Sequence, residues 1–399
     1  MSATLINHSP DLLRLQNDGY ELEIVRGVGV HLLVHGVPYV NAQRQVLFGT
    51  LVTPLTLNAE VTVTPLDNHQ MWFIGEHPCN NDGSEIFGIK HGSGHLPLAD
   101  GIVTQHSFSS KPPNAGQYPD YHAKVKRYVD IIEAPAISLK PGVSARNFKP
   151  VIDPVDTSVF KYSDTASSRA GISAISQKLA VPNVAIVGLG GTGSYVLDFV
   201  AKTHVREIHL FDGDVFSQHN AFRSPGAPAL EELTNPFKVD YFTRIYERMR
   251  YGVIPHAIHI TEENAAQLTA YTFVFVCIDR PVVRKIIATA LQAAGVPFID
   301  VGMDIQMFRQ ESLLGQCRTT LSTSAQFDHV AERVPFADTP LPGVYPSNIQ
   351  VAELNALNAA FAVIKWKKFL TFYLDQMHEH NSVYSINTNG LSKDVCREG

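Results

Sequence analysis

Residues 184–194 read Val-Ala-Ile-Val-Gly-Leu-Gly-Gly-Thr-Gly-Ser, and no other stretch restricts the fold of this chain as much. Val184–Val187 is apolar on both faces, so as a strand it belongs inside a parallel sheet covered on both sides. Gly188, Gly190, Gly191 and Gly193 then make a turn in which missing side chains let the backbone approach a phosphate. A helix is predicted from about Ser194 to Lys202. Its N-terminus offers unpaired N–H groups and the positive end of its dipole to an anion. Ile208–Phe211 is a second apolar strand ending at Asp212, whose carboxylate can accept hydrogen bonds from ribose hydroxyls. The combination points to a nucleotide and leaves open which one. The alternative is a glycine turn that binds nothing.

Further apolar strands, Phe273–Cys277 and Phe298–Val301, alternate with helical stretches such as Val282–Ala294, and a long helix runs over about Ala352–Leu374. Strand–helix alternation of this kind means an α/β domain with a mostly parallel sheet. The first 140 residues differ. Short runs at Tyr20–Val25, Val30–Val34, Gln45–Val52 and Met71–Ile74 are broken by Gly, Pro, Asn and Asp, and one helical pattern follows at Ala123–Ile132. Residues 141–180 are a connector marked by Pro141, Pro150 and Pro154, with a lead-in helix at Gly171–Leu179. The expected organisation is a β-rich α+β domain over 1–140, the connector over 141–180, and a Rossmann-like domain over 181–390.

The residues after Asp212 narrow the nucleotide. Asp214, Asn220 and Arg223 follow at close intervals, and Lys238 comes next. Hydride transfer needs no second acid, amide and guanidinium in that order, whereas a triphosphate site does. Arg223 can clamp phosphate oxygens in two places at once. Asn220 can hold a phosphate or order the loop, and Lys238 adds a point charge. Asp279 ends a buried strand, at the edge where open α/β sheets bind ligands. A carboxylate there can hold Mg²⁺ against phosphates; alternatively it caps the helix that begins at Pro281.

These residues together resemble the ThiF/MoeB/HesA superfamily, the adenylating core of ubiquitin-activating enzymes, over about Arg169 to Leu374. The motifs that carry the resemblance are the Gly188–Ser194 turn, the string Asp212-x-Asp214-x(5)-Asn220-x-x-Arg223, and Asp279, with Arg284 in the following helix. The resemblance implies a ThiF-type adenylyltransferase that uses ATP and Mg²⁺. It would join the C-terminal glycine carboxylate of a small β-grasp ubiquitin-like or sulfur-carrier protein to AMP, releasing pyrophosphate. Arg223, Lys238 and Asp279 would be catalytic, with Asp279 holding the magnesium. Gly188, Gly190, Gly191, Gly193, Asp212, Asp214, Asn220 and Arg169 would bind the nucleotide, Asp212 at the ribose and Asn220 at the phosphates. Arg169 would reach a partner subunit's site in a homodimer. Two other functions share part of the pattern: an NAD(P)-binding Rossmann oxidoreductase, and a catalytically silent nucleotide-binding scaffold.

Four cysteines, Cys79, Cys277, Cys317 and Cys396, are too scattered for a CxxC pair, so the structural zinc of many such enzymes is not expected. A thioester on Cys317, Cys396 or Cys79 stays open. In the first domain His69, His77, Cys79, His91 and His95 lie close together without a known metal-ligand spacing. The stretch from His77-Pro78-Cys79-Asn80 to Gly83 faintly resembles the His-Pro-Asn segment of ubiquitin-conjugating enzymes. The cysteine expected after Gly83 is missing, so Cys79 would be the sole local nucleophile; a domain that captures a partner is simpler. A net charge of −6 argues against nucleic acid as partner. No apolar run reaches the roughly 18 residues of a membrane helix, and no signal core opens the chain, so a cytoplasmic location is expected.

Overall fold

The computed structural model describes every residue except 1, 28, 60, 64–68, 100, 113–115, 150–157, 163, 165, 168, 169, 171, 338–348 and 396–399. The chain divides into two compact units: Met1–Thr157 with Tyr162–Gly171, and Ser158–Lys161 with Ile172–Gly399.

The first unit opens with two helices that the β-rich reading does not anticipate, α1 (Ser2–His8) and α2 (Pro10–Asn17). Pro10 sits at the start of α2, where a missing N–H costs nothing, and Leu12 and Leu15 are buried. The strands are β1 (Glu21–Arg26), β2 (Val30–Val40), β3 (Val46–Leu55), β4 (Leu57–Asn58), β5 (Val61–Thr62), β6 (Gln70–Ile74), β7 (Lys90–Ala99) and β8 (Ile102–Ser109). Six of them form an antiparallel sheet in the order β1-β2-β3-β6-β8-β7; β4 and β5 pair separately. Helix α3 (Tyr121–Leu139) begins at Asp120, whose side chain accepts a hydrogen bond from the Ala123 amide. Its residues Tyr121, Val125, Tyr128, Val129 and Ile132 recur at helical spacing and share one core with Leu32, Val34, Phe73 and Phe108 of the sheet.

Lys124 of α3 is also buried, and its Nζ donates to Thr53 Oγ1 at 2.8 Å. Burial pulls its pKa down to about 7. In the unfolded chain the amine holds its proton up to about pH 10.4. Between these values the unfolded state binds more protons, so stability rises with pH. The urea midpoint of this unit, followed by Trp72 fluorescence in a Trp366→Phe background, is expected to climb from pH 7 to pH 10. In Lys124→Met that climb should be absent.

The second unit holds an eight-stranded sheet in the order β11-β10-β9-β12-β13-β14-β15-β16. The strands are β9 (Asn183–Val187), β10 (Glu207–Phe211), β11 (Val253–His256), β12 (Phe273–Val276), β13 (Phe298–Phe308), β14 (Ser312–Ser322), β15 (Glu379–Ser385) and β16 (Gly390–Val395). From β11 to β13 neighbours run parallel; β14 to β16 are added antiparallel. The α/β reading with a mostly parallel sheet therefore holds. The chain reverses its winding between β9 and β12, which opens a crevice at the carboxyl ends of those strands.

The four longest described helices of this unit are α4 (Gly191–Ala201), α5 (Lys238–Tyr246), α6 (Pro281–Ala293) and α7 (Ala352–Phe369). Helix α4 starts at Gly191, three residues before its predicted start. Along β9, Val184 and Ile186 pack with α4 and Trp366 of α7, while Ala185 and Val187 pack with Ile287 and Leu291 of α6. Both faces are covered, as an unbroken apolar strand requires. Arg250, fully buried, closes the layer beyond α4: its guanidinium donates to the carbonyls of Ala201, Thr203, Val205, Arg206 and Tyr251. None of the described helices is long and apolar enough to cross a membrane.

Candidate active site

The glycines divide by what surrounds them. Gly188 has φ +90°, and a Cβ on it would sit 2.7 Å from the Cys277 carbonyl oxygen. A Cβ on Gly191 would overlap the Asn355 side chain, and one on Gly193 the Gly188 carbonyl oxygen. These three allow β9, α4, β12 and α7 to approach closely. Gly190 is different, because a Cβ there meets nothing within 4 Å. Its open side faces a cavity of about 730 Å³, lined also by Gly188, Gly191, Asp212, Asp214, Arg223, Lys238 and Asp279. Gly193 is not in that lining, and a Cβ there would strike the Gly188 carbonyl, so helix-to-strand packing accounts for its lack of a side chain. Gly193→Ala is therefore expected to unfold this unit, and Gly190→Ala to melt like the parent while binding ATP at least tenfold more weakly. Thermal melts and a fluorescent ATP-analogue titration on both variants check this.

Asp212, at the end of β10, lines the cavity with its oxygens engaged. Oδ2 accepts the Leu189 amide at 2.7 Å and Oδ1 the Asp214 amide at 2.8 Å. The residue expected to hold a ribose thus also braces the glycine turn. Lys238 is buried; its Nζ lies 2.8 Å from Asp214 Oδ2 and 3.6 Å from Asp212 Oδ1. That pairing holds the Asp214 carboxyl below its ordinary range. Lys238 therefore reaches any phosphate only in competition with Asp214. Asn220 lies outside the lining. Its Oδ1 accepts the Ser217 amide at 2.9 Å in a capping box, so of the two roles open to it the structure supports ordering the loop.

Arg223 is half-buried on the cavity wall, and its Nε is buried without a hydrogen-bond partner. Burial lowers its pKa, while the nearby Asp279 carboxylate acts the other way. Asn355 of α7 fixes this segment: Nδ2 donates to the Arg223 carbonyl at 3.4 Å, and Oδ1 accepts from Thr192 Oγ1 at 3.0 Å. Asp279 follows β12 and is exposed at the rim. The residue in N-cap position before Pro281 is Arg280, so the capping role considered for Asp279 is corrected. Arg169 and Cys396 lie outside the described residues.

The groups gathered here suit a nucleoside triphosphate. Gly190 leaves room beside the backbone of the turn, and the orphaned Arg223 Nε needs an acceptor that phosphate supplies. Among the described residues no three His, Cys, Asp or Glu side chains converge as metal ligands. A single carboxylate, Asp279, nevertheless fits Mg²⁺, which keeps its waters and takes phosphate oxygens rather than an all-protein cage.

Sequence reasoning named Arg284 but missed the charges it joins beneath the far side of the cavity, Asp300 and Arg318. Asp300 of β13 is fully buried between Arg284 and Arg318. Arg318 Nη2 donates to Asp300 Oδ1. Arg284 Nε lies 3.0 Å from Oδ2, a charge contact whose angle is too poor for a hydrogen bond; Arg284 Nη2 donates to the Ile278 carbonyl at 2.6 Å. Asp300 and Arg318 stand 18 positions apart and meet through the β13–β14 register, which no local pattern announces.

Burial works against each of the three described cysteines as a nucleophile. Cys317 is buried with its thiol pushed up to about 11, and burial raises Cys277 further. In the first unit Cys79 is 1% exposed, donates to the His77 carbonyl at 3.3 Å and is likewise raised by burial. That corrects its candidacy as a nucleophile.

Two curated proteins resemble part of the chain. "Adenylyltransferase and sulfurtransferase uba4" of Aspergillus terreus is 27% identical over 125 residues, and its namesake in Aspergillus clavatus is 30% identical over 129; each match covers 31% of this chain and 25% of the relative. The chain thus matches about a quarter of the length of these relatives. Among solved structures, E. coli MccB crystallised with AMPCPP and MccA aligns with TM-score 0.46 at 16% identity, over 58% of this chain and 72% of that one, too distant to carry chemistry across. Residues 10–165 match a domain of unknown function (DUF6791). Residues 164–394, more than half of the chain, match the ThiF family, and the protein belongs to that family.

Proposed function

We propose that the ThiF-family unit is an ATP-dependent adenylyltransferase that activates the C-terminal carboxylate of a small ubiquitin-like or sulfur-carrier protein. The observation that carries this reading is the single cavity in which the glycine turn, Asp212, Arg223, Lys238 and Asp279 meet. One carboxylate oxygen of the tail attacks the α-phosphorus of ATP. The bond from that phosphorus to the β-phosphate bridging oxygen breaks, so pyrophosphate leaves and the tail becomes an acyl-adenylate. No proton is transferred, since the attacking group is already ionised. The protein therefore needs to position the two substrates and neutralise charge at phosphorus. Arg223 is suited to that charge, with an N–H that has no other acceptor. Lys238 balances Asp214 and Asp212 and keeps the ribose side of the cavity in shape. Magnesium, held at Asp279, would supply further positive charge to the phosphates.

The nicotinamide reading rests on the glycine turn and on a carboxylate for the ribose. It gives no reason for Arg223, and the carboxylate for the ribose, Asp212, serves either nucleotide alike. The family membership and the resemblance of the motifs support a homodimer and a β-grasp partner, and we assign the first unit to partner capture. The test is exchange of labelled pyrophosphate into ATP by the full chain, with and without a synthetic peptide ending in Gly-Gly. Peptide-dependent exchange is expected. Binding of NAD in place of ATP would sink the reading.

A further inference from the structure

Two side-chain carbonyl oxygens in the cavity lining are buried with no donor: Oδ1 of Asn358 and Oε1 of Gln350. Asn358, on α7, is fully buried. Its Nδ2 donates to the Gly302 carbonyl of β13 at 3.0 Å. Because that partner only accepts, the NH₂ must face it and Oδ1 must face away. Asn358 belongs to the cavity lining, so Oδ1 is a fixed, unpaired acceptor within the cavity wall, and a buried acceptor left unpaired costs free energy. It calls for a ligand with a donor.

Within the adenylation reading, on which this inference rests, the phosphates of ATP are the wrong ligand for that atom. Phosphate oxygens at the glycine turn accept and do not donate. The ribose end lies at Asp212 beside β10, while Gly302 belongs to β13. Strands β10, β9, β12 and β13 stand in that order, so three spacings, ~14 Å, separate the two ends. The polar groups beyond the phosphates therefore meet the second substrate. An extended peptide offers N–H groups along its length, and both unpaired acceptors suit them.

We propose that Asn358 Oδ1, with Gln350 Oε1 as a second acceptor, receives backbone N–H groups of the substrate's C-terminal tail and so selects an extended tail with no proline or N-alkyl group at the matching position. Specificity of this kind arises because an analogue lacking the N–H leaves a buried carbonyl unpaired.

The test uses the full chain saturated with AMPCPP and Mg²⁺ and a fluorescein-labelled decapeptide ending in Gly-Gly with a free carboxylate, read by anisotropy. Each of the last three peptide bonds is replaced in turn by an ester, which deletes one N–H. At one position the ester is expected to weaken binding about tenfold. Asn358→Leu should weaken the all-amide peptide by a similar factor and lose the discrimination between amide and ester, with AMPCPP affinity unchanged. The inference is overturned if the peptide does not bind, if every ester binds like the amide, or if Asn358→Leu lowers AMPCPP affinity instead. Should that variant not fold, the ester series on the parent protein and on Gln350→Leu decides. Pyrophosphate exchange with the same peptide reads the adenylation step separately: peptide binding that depends on Asn358 without any exchange would refute that step and leave the acceptor role standing.

Discussion

Arg223→Ala is expected to lower the rate of peptide-dependent pyrophosphate exchange by about 10²–10³-fold, the range found when one donor to a developing charge is removed. The argument lies in how this side chain is held. Its carbonyl is pinned by Asn355, its Nε is buried without a protein partner, and Asp279 is the acid close enough to influence it. A preorganised guanidinium needs no rearrangement when charge builds on the α-phosphorus, so the loss should fall on kcat more than on the KM for ATP. Arg223→Lys should recover little of it, because an ammonium cannot reproduce the planar fork. The fold should not suffer, since the Asn355 contact is to the backbone and survives truncation. An Arg223→Ala protein that melts like the parent and exchanges at the parental rate would remove the central charge from the mechanism.

Asp300→Asn is expected to destabilise the second unit by about 3–5 kcal/mol, the cost of removing one partner from a buried ionic group. The wild-type carboxylate sits between two guanidiniums, and Arg284 and Arg318 are both largely hidden from water. Asparagine fills the same space but leaves two buried positive charges with nothing between them. Chemical denaturation followed by Trp366 fluorescence in a Trp72→Phe background measures the loss. Replacing all three residues with apolar ones of similar size should recover much of it, because desolvation offsets most of what such a group contributes. That variant would also show whether the cavity needs these charges for more than stability, through its exchange rate. A melting curve for Asp300→Asn that overlays the parent would mean that the triad is far better hydrated than its burial implies.

The features legible in the sequence are those with a short repeat. β9 is apolar at every position, and the structure puts those side chains alternately into the two cores on either side of the sheet. The α3 positions Val125, Tyr128, Val129 and Ile132 follow a helical period and all enter one core. The cavity also gathers Asp212, Asp214, Arg223, Lys238 and Asp279, all singled out from the sequence string alone. Boundaries read less well. Val30–Val34 is only the first part of the eleven-residue β2, and Phe298–Val301 only the start of the eleven-residue β13. Beyond the apolar run, these strands are held by hydrogen bonds to neighbours distant in sequence.

The order of residues by itself determined that a glycine turn sits on a parallel sheet, because an unbroken apolar strand ending in glycines admits few other arrangements. Tertiary structure decided what each residue there does. Gly190 borders open space while Gly193 presses on a carbonyl, although the two glycines look alike on paper. Asn220 turns inward to accept the Ser217 amide, and Lys238 is held between two carboxylates. Asp300 finds its arginines, and Asn358 its carbonyl, across strands and helices. Local spacing specifies the backbone path through short-range sterics and periodic burial; the pairing of charges and acceptors depends on which distant segments that path brings within hydrogen-bond reach.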